Sequence, residues 1–98
     1  MSEWYVLQHR PGPAVPVGES VFDHAGFAEH VAFLGRRSAA GELIAAGPVG
    51  DAGDGMTVLD VASLDEAVRL ATTDDQAVVS GVLVVEVRPW RVLMSRQS

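Results

Sequence analysis

The stretch Gly50-Asp51-Ala52-Gly53-Asp54-Gly55 constrains this chain most, because it is a turn signal flanked on both sides by short apolar runs. Glycine tolerates positive φ and aspartate hydrogen-bonds its own backbone, so the segment predicts a hairpin turn. Leu43 to Val49 enters it and Met56 to Val61 returns antiparallel. What surrounds the hairpin is symmetrical in kind. On its N-terminal side, Trp4 to His9 is aromatic and β-branched and reads as a strand ended by Arg10-Pro11-Gly12-Pro13, followed by a Pro- and Gly-rich loop to about Ser20. From about Phe22 to Ala40, Phe27, Val31 and Leu34 recur at helical spacing, with Gly41 as the left-handed stop.

On the C-terminal side, Ser63-Leu64-Asp65-Glu66 is a capping box, in which the serine hydroxyl and glutamate carboxylate each satisfy a free amide, so a second helix begins at Leu64. Its apolar stripe is Leu64, Ala67, Val68 and Ala71, and it is expected to fray into Thr72-Thr73-Asp74-Asp75. Val82 to Arg88 then forms a last strand closed by Pro89-Trp90. The order βαββαβ, with an antiparallel four-stranded sheet and two helices on one face, is the α+β ferredoxin-like arrangement.

Such a sheet has one face covered by helices and one open. Trp4 and Val6 are nevertheless apolar alongside Tyr5 and Leu7, and Val82 to Val85 repeats the pattern, so both faces carry apolar side chains. A chain of 98 residues has one core and nothing left to cover the second face. The expected cover is another copy of itself, giving a homodimer with a barrel-like interior.

Composition excludes several functions. There is no cysteine, which removes disulfides, thiolate nucleophiles and thiolate-ligated zinc. The net charge is −6 and Arg36-Arg37 is the only adjacent basic pair, so neither nucleic acid nor an anionic membrane is an expected partner. No purely apolar run is longer than Val82 to Val85, far short of the ~20 residues of a membrane span. The start of the chain lacks the pattern of a secretory leader, and a cytoplasmic location is the default expectation. Gly47, Gly50 and Gly53 lead into a strand, not a helix, so a nucleotide fingerprint is absent. Trp4 and Trp90 have two readings, as stacking platforms for a planar ligand or as core and interface aromatics.

Among ionisable residues His30 stands out. With Phe27, Val31, Leu34 and Ser38 as the buried stripe of the first helix, it falls at the stripe's edge, where it reads either as a pocket-wall general acid or base or as a boundary histidine bonded to a backbone carbonyl. Gly26, four residues earlier, leaves the imidazole uncrowded. His9 and Arg10 end the first strand at the proline-rich loop, where Arg10 would pair with a substrate oxyanion or both would be solvated turn residues. The loop itself, Gly12 to Ser20, reads as a lid or as a plain connection. A metal is not expected: His24 and His30 diverge by about 240° on a helix, and the Asp51 and Asp54 turn lacks the ligand pattern of a calcium loop.

His30-Val31-Ala32-Phe33-Leu34, Gly41-Glu42-Leu43, Ala46-Gly47-Pro48, Met56-Thr57-Val58-Leu59, Asp65-Glu66-Ala67, Asp75 through Gly81 and Val87-Arg88-Pro89-Trp90 together resemble the YciI-like, or YCII-related, domain over almost the whole chain. The resemblance implies a dimeric α+β barrel with a catalytic histidine and aspartate, which fall on His30 and Asp75. It departs from the family where Asp-Pro is frequent, since Gln76 follows Asp75 and Asp74 precedes it. Gly47 and Pro48, in their matching motif, join His9 and Arg10 as the expected substrate-binding set. The activities proposed in the family act on small ring compounds and include elimination of chloride from chlorinated hydroxyquinols. Two functions are therefore expected: a lyase-type or isomerase-type enzyme without a cofactor, using His30 and Asp75 for proton transfer on a small cyclic substrate, or a dimeric ligand-binding module without turnover.

Overall fold

A computed structural model describes residues 2–96. Its strands are β1 (Ser2–Pro11), β2 (Leu43–Val49), β3 (Asp54–Leu59) and β4 (Leu83–Val92), and its helices are α1 (Phe27–Ala39), α2 (Leu64–Arg69) and α3 (Gln76–Val79). The sheet order is β2-β3-β1-β4 and every pairing is antiparallel, which is the ferredoxin-like topology. Gly50 and Gly53 turn the hairpin with φ of 69° and 90°, and Gly41 ends the first helix region at φ 76°. Among the described residues, no helix is long and apolar enough to cross a membrane.

Several boundaries move for identifiable reasons. The first helix starts at Phe27 and not Phe22, because a 3₁₀ turn over Val21–Asp23 comes first, capped by the Ser20 hydroxyl accepting from Phe22 N at 3.2 Å. His24 then turns extended and its Nδ1 accepts from Gly26 N at 2.9 Å, which delays the helix. Gly26 is small for a reason other than clearing His30: a Cβ there would stand 2.8 Å from Val82 Cγ2. The second hairpin strand spans Asp54–Leu59 instead of Met56 to Val61. Pro89-Trp90 does not close β4, which continues to Val92; Pro48 and Pro89 both lie in the edge strands β2 and β4, where proline is tolerated.

The second helix does not fray. Only the serine half of the expected capping box forms: the Ser63 hydroxyl accepts from Glu66 N at 3.1 Å, while the Glu66 carboxylate accepts from Arg69. After Arg69 it widens into a π-type turn, Leu70–Asp74, where the Thr72 and Thr73 hydroxyls donate back to Val68 O and Arg69 O. Asp75 then caps the new helix α3, its Oδ1 accepting from Ala77 N at 3.0 Å. The buried stripe is Ala67, Leu70 and Ala71, at ordinary helical spacing, so the helix packs on a face turned from the expected one and leaves Leu64 and Val68 exposed.

One core group joins Leu7, Phe33, Leu59, Leu70 and Ala71, and a second joins Val21, Ala77, Val82 and Leu83. In α1 the residues fully turned to the sheet are His30 and Phe33, while Val31 is 55% exposed. The expected stripe of Phe27, Val31, Leu34 and Ser38 is thus rotated, and His30 lies in the middle of the buried face instead of at its edge. Apolarity alone misplaced the face because a histidine occupies its centre.

Candidate functional site

Three elements distant in sequence converge beneath α1. β1 alternates, so Tyr5, Leu7 and His9 share the helix-covered face and His9 is 2% exposed. His30 projects from the first turn of α1 onto the same spot, and Asp75, 0% exposed, arrives from the cap of α3. His30 Nδ1 donates to Asp75 Oδ2 at 2.6 Å. Because the other Asp75 oxygen already accepts from Ala77 N, the carboxylate acts as acceptor on both sides and holds the His30 proton on Nδ1. In the neutral form of the ring this leaves the lone pair on Nε2.

Asp74 and Asp75 are separated cleanly by the turn. Asp74 faces outward, where its Oδ2 accepts from Arg36 Nε at 3.2 Å and lies 3.4 Å from Arg37. Asp75 is the interior carboxylate. As Asp75 is the cap, Gln76 takes the first helical position, the place where proline is favoured because its missing N–H costs nothing. The departure from Asp-Pro at this motif therefore leaves the cap and the His30 contact intact.

His9 completes the group. Its ring centroid is 4.6 Å from that of His30, and its Nε2 is 3.9 Å from Asp75 Oδ2, beyond hydrogen-bonding range. Neither ring nitrogen has a partner among the described residues. Burial first, and then repulsion from His30, lower its pKa to about 4, with Asp75 pulling the other way, so His9 is neutral near pH 7.

A cavity of about 200 Å³ lies against the two imidazoles, walled by Phe22, Phe27, Leu34 and Pro48. Gly47 also lines it, so His9, His30, Gly47 and Pro48 are brought to one place. Asp75 does not border the cavity; it stands behind His30. Arg10 is not brought there: next to His9 on a strand, it points to the opposite face and is exposed. Phe27 and Phe22 pack edge to face at 5.2 Å, and Phe27 lies 5.6 Å from the His30 ring, an aromatic wall for which helical spacing gives Phe27 only a core role and no signal singles out Phe22. The signal for His9 was available in the period-2 alternation of β1, which puts it on the face of Tyr5 and Leu7.

The profile of the YCII-related domain matches residues 4–91. The chain belongs to this family. No curated protein matches it. The histidine and aspartate that the family resemblance singled out by motif are thus the pair joined at 2.6 Å in the fold.

Proposed function

We propose that this YciI-like protein is an enzyme that moves a proton on a small cyclic substrate, with His30 as general acid and base and Asp75 as the group that orients it, and with no organic cofactor. The observation that carries this reading is the 2.6 Å contact between His30 Nδ1 and a fully buried carboxylate, made at the wall of a cavity. A carboxylate on Nδ1 selects the tautomer with a basic Nε2 and favours the imidazolium that forms when the proton is taken. In an elimination, His30 accepts a proton from the substrate, the electron pair so released expels chloride, and the net loss is HCl.

Cavity size bears on substrate class. A void of about 150 Å³ accommodates benzene, so about 200 Å³ suits a single substituted ring. The open sheet face supports a homodimer: Trp90, Met56 and Val84 are 44, 39 and 36% exposed on it, and a second copy would cover them. Neither nucleic acid nor membrane is part of the reading, given the acidic charge.

The test is chloride release from chlorinated hydroxyquinols and proton exchange on enolisable ring compounds, followed by NMR. His30→Ala is expected to lower turnover by about 10²- to 10⁴-fold, the usual worth of a positioned acid or base, while keeping a cooperative melting transition. Equal turnover in variant and parent would end the catalytic reading. A second reading, ligand binding without turnover, draws support from the mostly apolar walls, and ring compounds that saturate the parent without ever being altered would favour it.

A further inference from the structure

The proton-transfer reading uses His30 and Asp75 but leaves His9 without a task. A buried imidazole with both nitrogens unpartnered is destabilising, so the position asks for a group that satisfies it. That group is indicated by where His9 points. One donor atom from each of His9, His30 and Asp75 lies within 4.8 Å of the others, and all three residues are buried.

We propose that His9, His30 and Asp75 form a binding site for a borderline first-row dication of the zinc, cobalt or iron class. Two imidazoles and one carboxylate are a donor set suited to such ions and ill suited to magnesium or calcium, which take oxygen ligands. Tetrahedral ligands at about 2.0–2.2 Å from an ion stand roughly 3.3–3.6 Å apart, so the 2.6 Å between His30 and Asp75 must open, the 3.9 Å between His9 and Asp75 must close slightly, and the two imidazoles, whose donor atoms lie within 4.8 Å of each other, must approach by up to about 1.5 Å through side-chain rotation. Asp75 is held from behind by Ala77 N, which fixes the carboxylate as outer partners fix metal ligands elsewhere. Both imidazoles also border the cavity, whereas Asp75 lies behind His30, so the ion would sit on the Asp75 side of the rings.

Ion and shared proton are alternative occupants of the same atoms: ligation by His30 Nδ1 requires its proton to move to Nε2. The inference goes beyond the proton-transfer reading and does not rest on it, since a catalytic dyad is complete without His9.

The experiment is titration of chelator-treated full-length protein with Co²⁺, followed by visible absorption and calorimetry, with Zn²⁺ as competitor. One equivalent per chain, a ligand-field band in the visible and displacement by Zn²⁺ are expected. His9→Ala and Asp75→Asn should each weaken binding by at least the roughly 10- to 100-fold that loss of even an outer partner costs. Asn retains the helix cap, so Asp75→Asn keeps the test valid if His9→Ala fails to fold. His24→Ala, outside the cluster, should bind as the parent does. Folded parent protein that takes up neither ion at millimolar concentration, or uptake that survives Asp75→Asn unchanged, overturns the site. Turnover is not a readout here, so failure of the metal site leaves the proton-transfer reading standing and the reverse also holds.

Discussion

On β1, Tyr5, Leu7 and His9 point beneath the helices and are 5, 0 and 2% exposed, while Trp4, Val6, Gln8 and Arg10 alternate with them on the open face and remain partly or fully exposed. β4 repeats the division: Leu83 is buried with Val85 and Val87 packed toward the core, whereas Val84, Glu86, Arg88 and Trp90 face outward. The same strands thus make two environments that differ in water. On the dry face a carboxyl, an imidazole and a second imidazole interact at short range with little screening, and each must find a partner. On the open face the charges stay solvated, and the apolar residues Trp4 and Trp90, edge to face at 6.0 Å, wait on a covering surface. The proposed chemistry lies on the first face and the proposed association on the second.

The largest expected difference between the faces is at Asp75. Asp75→Ala removes the α3 cap and leaves His30 Nδ1 unpaired, which should lower unfolding free energy by on the order of 3–5 kcal/mol, measured by urea denaturation. A loss below about 1 kcal/mol would show that the buried pair contributes little. Next comes the apolar core: Leu7→Ala should cost about 2–5 kcal/mol, and Val6→Ala, one residue away on the open face, clearly less. Similar losses at both positions would erase the distinction between faces.

A pH effect follows. With a folded pKa of about 4 against 6.5 unfolded, His9 is neutral in the native state while the unfolded chain takes up a proton below pH 6.5. Its contribution to stability is therefore intact above about pH 6.5 and declines as pH falls toward 4, by roughly 3 kcal/mol at most. The urea midpoint of the parent should drop over that window, and His9→Leu should flatten the drop; an unchanged slope would mean that other groups govern it.

Trp90→Asp probes the open face. Loss of a buried interface tryptophan commonly costs about 2 kcal/mol, a roughly thirtyfold weaker dimer in sedimentation equilibrium. A parent that is monomeric at micromolar concentration removes the dimer proposal altogether. The smallest effect is expected at Asp74, whose pairs with Arg36 and Arg37 are at the surface: Asp74→Asn should change stability by less than about 1 kcal/mol, in contrast with its neighbour Asp75.

How much was legible depends on how local each signal is. The hairpin turn, the Gly41 stop and the Ser63 cap are set by residues within a few positions of one another; the stop and the cap appear where the sequence puts them, and the turn begins where expected but gives way to β3 at Asp54, two residues early. The faces of the helices are different. Phe27, Val31 and Leu34 suggested one stripe of α1, yet the sheet receives His30 and Phe33, because a histidine whose ring is paired with a carboxylate is compatible with burial and apolar periodicity has no means of counting it. The stripe of the second helix shifted too: Leu70 is buried with Ala67 and Ala71 while Leu64 and Val68 are exposed, a choice of face made by packing on the sheet.

The sequence by itself determined the order of elements, the two-faced sheet and, through the motifs it shares with the YCII-related family, the names His30 and Asp75. Local rules suffice for that, since turns, caps and alternation act over a few residues. Only the tertiary structure decided that Asp75 and not Asp74 turns inward, that Arg10 is turned away, and that His9 joins His30. Those outcomes depend on contacts across 45 residues, from α1 to the cap of α3, and on which face of β1 the helices cover. A donor's partner is fixed by packing in space, and spacing along the chain does not carry it.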